Sequence, residues 1–165
     1  MNEKKSLSCR GGRCCALPVV ALAVACFVSG VGAAGIASGP FYVDSLAPAG
    51  GDGLTWATAF TTVTEGVAEA NLADTAEVWV KAGTYSPTAS VSLGSDTGVY
   101  GGFNGTERRR DDRDWRNHPT TIDGGGQGFS IFTANGVMSF VLEGLILVGG
   151  GGSGDVDGGA VNVSS

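Results

Sequence analysis

The chain has 165 residues, with ten Lys and Arg against sixteen Asp and Glu, and 29 glycines. That length suits one modest domain, and the acidic balance repels phosphate backbones, which excludes nucleic acid as a partner. So much glycine raises a reading of disorder, but short β-prone runs between the glycine clusters exclude it.

Lys4, Lys5, Arg10 and Arg13 form a basic opening, Leu17 to Val31 is almost wholly apolar, and Gly32, Ala33 and Ala34 are small. This is the layout of a secretory signal peptide over residues 1–34, with cleavage expected after Ala34 or Ala37. The apolar run falls short of the roughly 20 residues that span a bilayer. Two alternatives stand beside cleavage: an uncleaved anchor, and a lipoprotein acylated at Cys26. Ala23 and the continuation of the apolar run past the cysteine oppose the second. Membrane contact is expected only through an uncleaved leader. Cys9, Cys14, Cys15 and Cys26 all lie in this leader, so disulfides and thiolate metal sites are excluded beyond it. After residue 34, six basic and fifteen acidic side chains remain, a net charge of −9.

Residues 35–76 are expected to hold a strand and a helix. Phe41-Tyr42-Val43-Asp44 reads as the strand, followed by the glycine-rich turn Ala49–Gly53. Trp56, Phe60, Val63, Val67 and Ala70 then recur at helical spacing, which predicts one amphipathic helix with Thr55 as its N-cap. Gly66 weakens its interior.

From residue 77 to 165 the pattern is of short strands: Val78–Val80, Val91 with Leu93, Val99–Gly101, Thr121–Asp123, Ser130–Phe132, Val141–Val148 and Ala160–Val163. Starts at 78, 99, 121, 141 and 159 are separated by 21, 22, 20 and 18 residues. A loose period near 20 residues predicts a repeat architecture. The fold class expected is all-β: a right-handed parallel β-helix of stacked coils, with the helix as its N-terminal cap. A β-sandwich is the alternative, opposed by the lack of hairpin turn pairs. Val78, Val80, Val99, Ile122, Ile131 and Leu142 are expected to point inward. Ile122→Asp should abolish folding, and Thr120→Asp should be tolerated.

The stretches FYVDSLAPAGGDGLTWATAFTTV, EVWVKAGTYSP, VYGGFNGTERRRDDRDW and TIDGGG, in that order, resemble the N-terminal region of bacterial secreted right-handed parallel β-helix repeat proteins. Gly158-Gly159-Ala160-Val161 resembles chlamydial polymorphic membrane proteins more loosely, without their FxxN element in place. The first resemblance covers roughly Phe41 to Ser165. It implies a pectin-lyase-like fold, a secreted or surface-anchored location, and further coils beyond Ser165, so that the sequence would be a truncated product or part of a longer protein.

The function expected is a non-catalytic extracellular scaffold or adhesin-like module. The alternative is a piece of a polysaccharide lyase or hydrolase of the same fold. Such enzymes use aspartate clusters, for which Asp111, Asp112 and Asp114 are the candidates. Their tight alternation with arginine reads instead as a salt-bridged, solvated loop. No catalytic residue is assigned. His118, the single histidine, shows no partner in sequence. No cofactor is expected, and calcium is the one candidate cation, with Asp155 and Asp157 in GGSGDVDGG as its ligands. That segment is similar to a calcium-binding nonapeptide, but its aspartates are one position displaced, and glycine-flanked aspartates commonly form turns. Candidate partners are carbohydrate or other cell-surface components. Trp79, Tyr100 and Trp115 would stack on sugar rings if exposed, although aromatics near strands usually pack inside. Asn104-Gly105-Thr106 and Asn162-Val163-Ser164 fit the glycosylation triplet. Self-association is expected of the isolated segment.

Overall fold

The computed structural model describes residues 39–73, 77–151 and 159–164. The leader lies outside these residues. The elements are β1 (Phe41–Val43), a 3-10 turn at Trp56–Thr58, α1 (Val63–Leu72), then β2 (Glu77–Lys81), β3 (Gly83–Tyr85), β4 (Val91–Ser92) and β5 (Thr97–Phe103). A 3-10 turn at Arg110–Asp112 precedes β6 (Thr120–Asp123), β7 (Phe132–Asn135), β8 (Phe140–Glu143), β9 (Leu145–Val148) and β10 (Val161–Ser164).

The strands form three small parallel sheets, ordered β1-β2-β5-β8, β3-β6-β9 and β4-β7-β10. Parallel neighbours cannot be joined by a tight hairpin. From β2 the chain therefore visits the other two sheets, as β3 and β4, before it returns as β5 beside β2. Register aligns the inward side chains in columns. Val78 lies beside Val99 and Val99 beside Leu142; Tyr85, Ile122 and Leu147 follow one another in the second sheet, and Val91, Phe132 and Val161 in the third. Val43, Val78, Val80, Val99, Ile122, Ile131 and Phe132 are fully buried in one apolar core. Of the residues predicted to point inward, Leu142 alone is only partly buried, because β8 is the outermost strand of its sheet.

These findings correct the expected fold class. The described chain is of mixed α/β content, with three separate sheets of four, three and three strands and one helix, and it shows no all-β right-handed parallel β-helix. The 20-residue spacing did not measure a repeat. Strands near 78, 99 and 141 share the first sheet, whereas that at 121 belongs to the second and that at 161 to the third. Val63, Val67 and Ala70 are buried in the same core as the strands, and α1 packs against β1, β2, β4 and β5.

The predicted helix is also shorter. Thr55 does accept the amide of Thr58, but it caps only the 3-10 turn. The chain then extends, and Phe60 forms a parallel bridge with Val43. Thr62 is the N-cap of α1, in a reciprocal capping box with Glu65. Gly66 sits where the helix touches the first sheet, and a Cβ there would lie 2.6 Å from a Val43 methyl. The long run Val141–Val148 is divided at Gly144 into β8 and β9. No helix among the described residues is long and apolar enough to cross a membrane.

Candidate functional site

The outer face of the first sheet carries an aromatic column. Register places Tyr42 beside Trp79, Trp79 beside Tyr100, and Tyr100 beside Glu143. Trp79 stacks on Phe103 with ring centroids 4.8 Å apart, and Trp56 and Tyr42 pack edge-on and tilted around them. Trp79 and Tyr100 are buried, so neither is available to a sugar ring. Trp115 is different: half of its surface is exposed.

The loop after β5 covers this column and positions Trp115. It is held at several points. Glu107 is buried and accepts the amides of Asn104, Gly105 and Thr106 at 2.7, 3.0 and 3.0 Å, which offsets the cost of taking its charge from water. The Trp56 indole N–H donates to the Glu107 carbonyl at 3.0 Å. The Arg110 guanidinium donates to Glu77 at 2.6 Å and to the Tyr100 hydroxyl at 3.2 Å, and lies 4.7 Å from the Tyr100 ring centre. Glu77 holds the Arg110 pKa above its ordinary value. Arg113, its side chain largely buried, donates to the Gly101 carbonyl at 3.3 Å and to Glu143 at 2.5 Å. The backbone closes the attachment: Asp114 N–H donates to Gly102 O at 3.0 Å. Gly102, at φ +96°, permits this approach, since a Cβ there would lie 2.6 Å from Trp115 Cα.

Beyond Trp115 opens a cleft of about 590 Å³, lined by Trp115, Arg116, Pro119, Glu143, Gly144, Leu145 and Ile146. Its volume lies within the range of small-ligand sites, roughly 300–1,000 Å³. The Arg116 guanidinium lies 4.9 Å from the Trp115 ring centre. Glu143 engages Arg113 through Oε1 and is more than half exposed. Ile146 projects from β9 with about half its surface open. The cleft thus joins an aromatic plate, an aliphatic wall, a donor and an acceptor. A second cleft, of about 350 Å³, is rich in hydroxyls from Ser45, Thr61, Thr62, Thr64, Thr84, Ser86 and Thr88. Thr62 there already serves the capping box, and no exposed aromatic or ion pair lines that cleft.

The aspartates of the loop have structural or solvated positions. Asp111 and Asp112 are exposed on the second 3-10 turn. Asp114 accepts the amides of Arg116 and Asn117 and the side-chain amide of Asn117, and these bonds, Asn117 first, hold its carboxyl below the ordinary range. His118 donates its backbone amide to Asp114 O at 2.8 Å. Asn104 and Thr106 are exposed, and Asn104 Oδ1 accepts both the amide and the hydroxyl of Thr106. Asp155 and Asp157, the calcium candidates, lie outside the described residues. Among the described residues, no group of three or more His, Cys, Asp and Glu side chains converges. Sequence reasoning singled out Trp115 but missed Arg116, Glu143 and Ile146. The available signal for Ile146 was the alternation in β9, where Leu145 and Leu147 turn inward. Glu143 had none, because its partner Arg113 is 30 positions away.

No protein family, curated protein or solved structure matches the chain.

Proposed function

We propose that the chain is an exported, non-catalytic surface module of the adhesin-like kind, whose contact surface is the cleft at Trp115. The observation that carries this reading is the way the loop is braced. Arg110 on Glu77 and Arg113 on Glu143 tie it to the first sheet, Trp56 on the Glu107 carbonyl ties it to the first 3-10 turn, and the indole that the loop carries is half exposed. Rigid elements that hold an amphipathic aromatic outward favour binding, because little side-chain freedom is lost on contact. Asp111 and Asp112, which sequence offered as acid or base, stand exposed outside this brace, and Asp114 is engaged by Arg116 and Asn117 within its own turn. The basic and apolar opening of residues 1–34 supports export.

The test has two arms. The full chain, produced in a secreting host, should be recovered from the medium or cell surface with the leader removed, as read by N-terminal sequencing. It should also adhere to cells or to extracted cell-surface material, and Trp115→Ala should weaken that adherence. Protein retained in the cytoplasm with Met1 intact would overturn the reading, as would turnover of pectate, alginate or a neutral polysaccharide by the purified chain.

A further inference from the structure

We infer that the cleft at Trp115 takes a neutral, pyranose-containing saccharide, an inference that rests on the surface-module reading and names the ligand class of the same site. The argument begins with the indole. The Arg116 guanidinium lies over the Trp115 ring, yet half of the residue's surface stays open beside the aliphatic wall of the cleft, where a flat, partly apolar surface can pack. The C–H face of a pyranose ring is such a surface, and its edge carries hydroxyls that each need a donor and an acceptor. The cleft supplies both: the Arg116 guanidinium donates, and Glu143, held by Arg113 through one oxygen, keeps its other oxygen for accepting.

Charge decides the subclass. A uronate would bring its carboxylate against Glu143 and approach a chain whose residues after 34 carry a net charge of −9. Among the described residues, Arg116 is the one cation of the lining, and Glu143 in the same lining offsets its charge; Arg113 offers a carboxylate little, because its side chain is largely buried and already committed to Glu143 and to the Gly101 carbonyl. A neutral sugar has neither penalty. Glu143 in this role positions a hydroxyl and performs no proton transfer.

Isothermal titration calorimetry reads binding by the parent and every variant, and tryptophan fluorescence reads the contact itself where Trp115 is retained. The secreted full chain is titrated with neutral hexasaccharides of β-linked glucose, xylose and mannose, and with polygalacturonate as the anionic comparison. At least one neutral hexasaccharide should produce a saturable change, and polygalacturonate none. Trp115→Ala should weaken binding about tenfold or more, as expected for loss of an aromatic anchor. Trp115→Phe should retain part of it, and Glu143→Gln should weaken it while leaving the indole signal in place. Far-UV circular dichroism establishes that each variant is folded, and a folded Trp115→Phe that binds keeps the inference testable if the alanine variant is not. Binding unchanged by Trp115→Ala, binding of polygalacturonate alone, or no response to any of the neutral sugars overturns the inference. So does light scattering that shows a dimer which Trp115→Ala converts to monomer, because the cleft would then belong to a second copy. These failures are distinct from failure of the parent reading: adherence and export can persist without a saccharide response, and a saccharide response can occur in a chain that never leaves the cytoplasm.

Discussion

Thr120 follows a histidine and a proline in a polar stretch, and from sequence it is a site that should accept aspartate. The structure reverses this. Thr120 is fully buried, its hydroxyl accepts the Gly102 amide at 3.0 Å, and it lies 3.3 Å from the Val80 carbonyl as a donor. Thr120→Val keeps the shape but leaves the buried Gly102 amide without its acceptor, at a cost of about 1–3 kcal/mol. Thr120→Asp, which adds a buried charge, should be as damaging as Ile122→Asp, and both should abolish the cooperative unfolding transition. A urea melt of Thr120→Asp that matches the parent would refute the burial argument. Tyr85 gives a second residue-scale expectation. Its phenol donates to the Lys81 carbonyl at 2.9 Å, and burial, the largest cause, pushes its pKa up to about 12. The unfolded value is about 10. The unfolded state therefore loses this proton first as pH rises. Stability from this group is intact below about pH 10 and declines as pH approaches 12, by an amount on the order of 2 kcal/mol. Denaturant midpoints of parent and Tyr85→Phe should run parallel below pH 9 and converge or cross above pH 10; parallel curves throughout would show that the phenol is not shielded.

Helix α1 shows how packing overrides propensity. In an exposed helix, Gly→Ala is stabilising by about 1 kcal/mol. At position 66 the sign should invert, because the new methyl would meet Val43 at 2.6 Å and Val78 at 3.0 Å, both side chains of the first sheet's inner face. Gly66→Ala should lower stability by about 1–3 kcal/mol, whereas Thr62→Ala, which removes the cap at the same helix, should cost about 1 kcal/mol. A thermal melt in which Gly66→Ala gains stability would mean that helix and sheet are less closely packed. The same contact explains what could be read from sequence and what could not. Val63, Val67 and Ala70 were legible as one buried face because their spacing is a local property. Trp56 and Phe60 fitted that spacing equally well, yet the pairing of Phe60 with Val43 takes that segment out of the helix. Strand positions were mostly legible from β-branched runs, and β3 was not, because Gly83 and Thr84 carry no apolar alternation. Which strand pairs with which lay beyond a period count: spacings near 20 residues join strands of one sheet in some cases and of different sheets in others. At the cleft, Trp115 stood out as an aromatic in a charged loop, while its neighbours from β8 and β9 arrive only through the folded topology.

At the scale of the whole molecule the two ends of the described sheets are treated differently. Where the first and third sheets begin, their edges are covered. The segment 53–60 takes up the free side of β1, with Tyr42 N–H donating to Gly53 O at 2.8 Å and Asp44 N–H to Phe60 O at 2.9 Å. Asn71 of α1 serves the free side of β4 and its following loop, donating to the Ser92 carbonyl at 2.8 Å and accepting the Gly94 amide at 2.7 Å. Where the sheets finish, β8, β9 and β10 are each outermost among the described residues. The inward layer there, Phe140, Leu142, Leu145, Leu147 and Val161, is only partly buried, and Val141, Ile146, Val148 and Val163 are exposed. Unpaired backbone beside apolar side chains is a template for association. Because the first and third sheets are covered where they begin, a head-to-tail contact is blocked in those two sheets, and an open end pairs most fully with another open end. That contact is isologous and closes at two copies, whereas a head-to-tail contact would propagate into fibres. The purified chain should therefore form concentration-dependent dimers at micromolar concentrations in multi-angle light scattering. Val163→Lys and Val141→Lys, which place charge on the edge, should return it to monomer with the unfolding midpoint little changed. A parent chain that stays monomeric across that range, or that assembles without limit into filaments, would contradict the assignment of one covered and one open end.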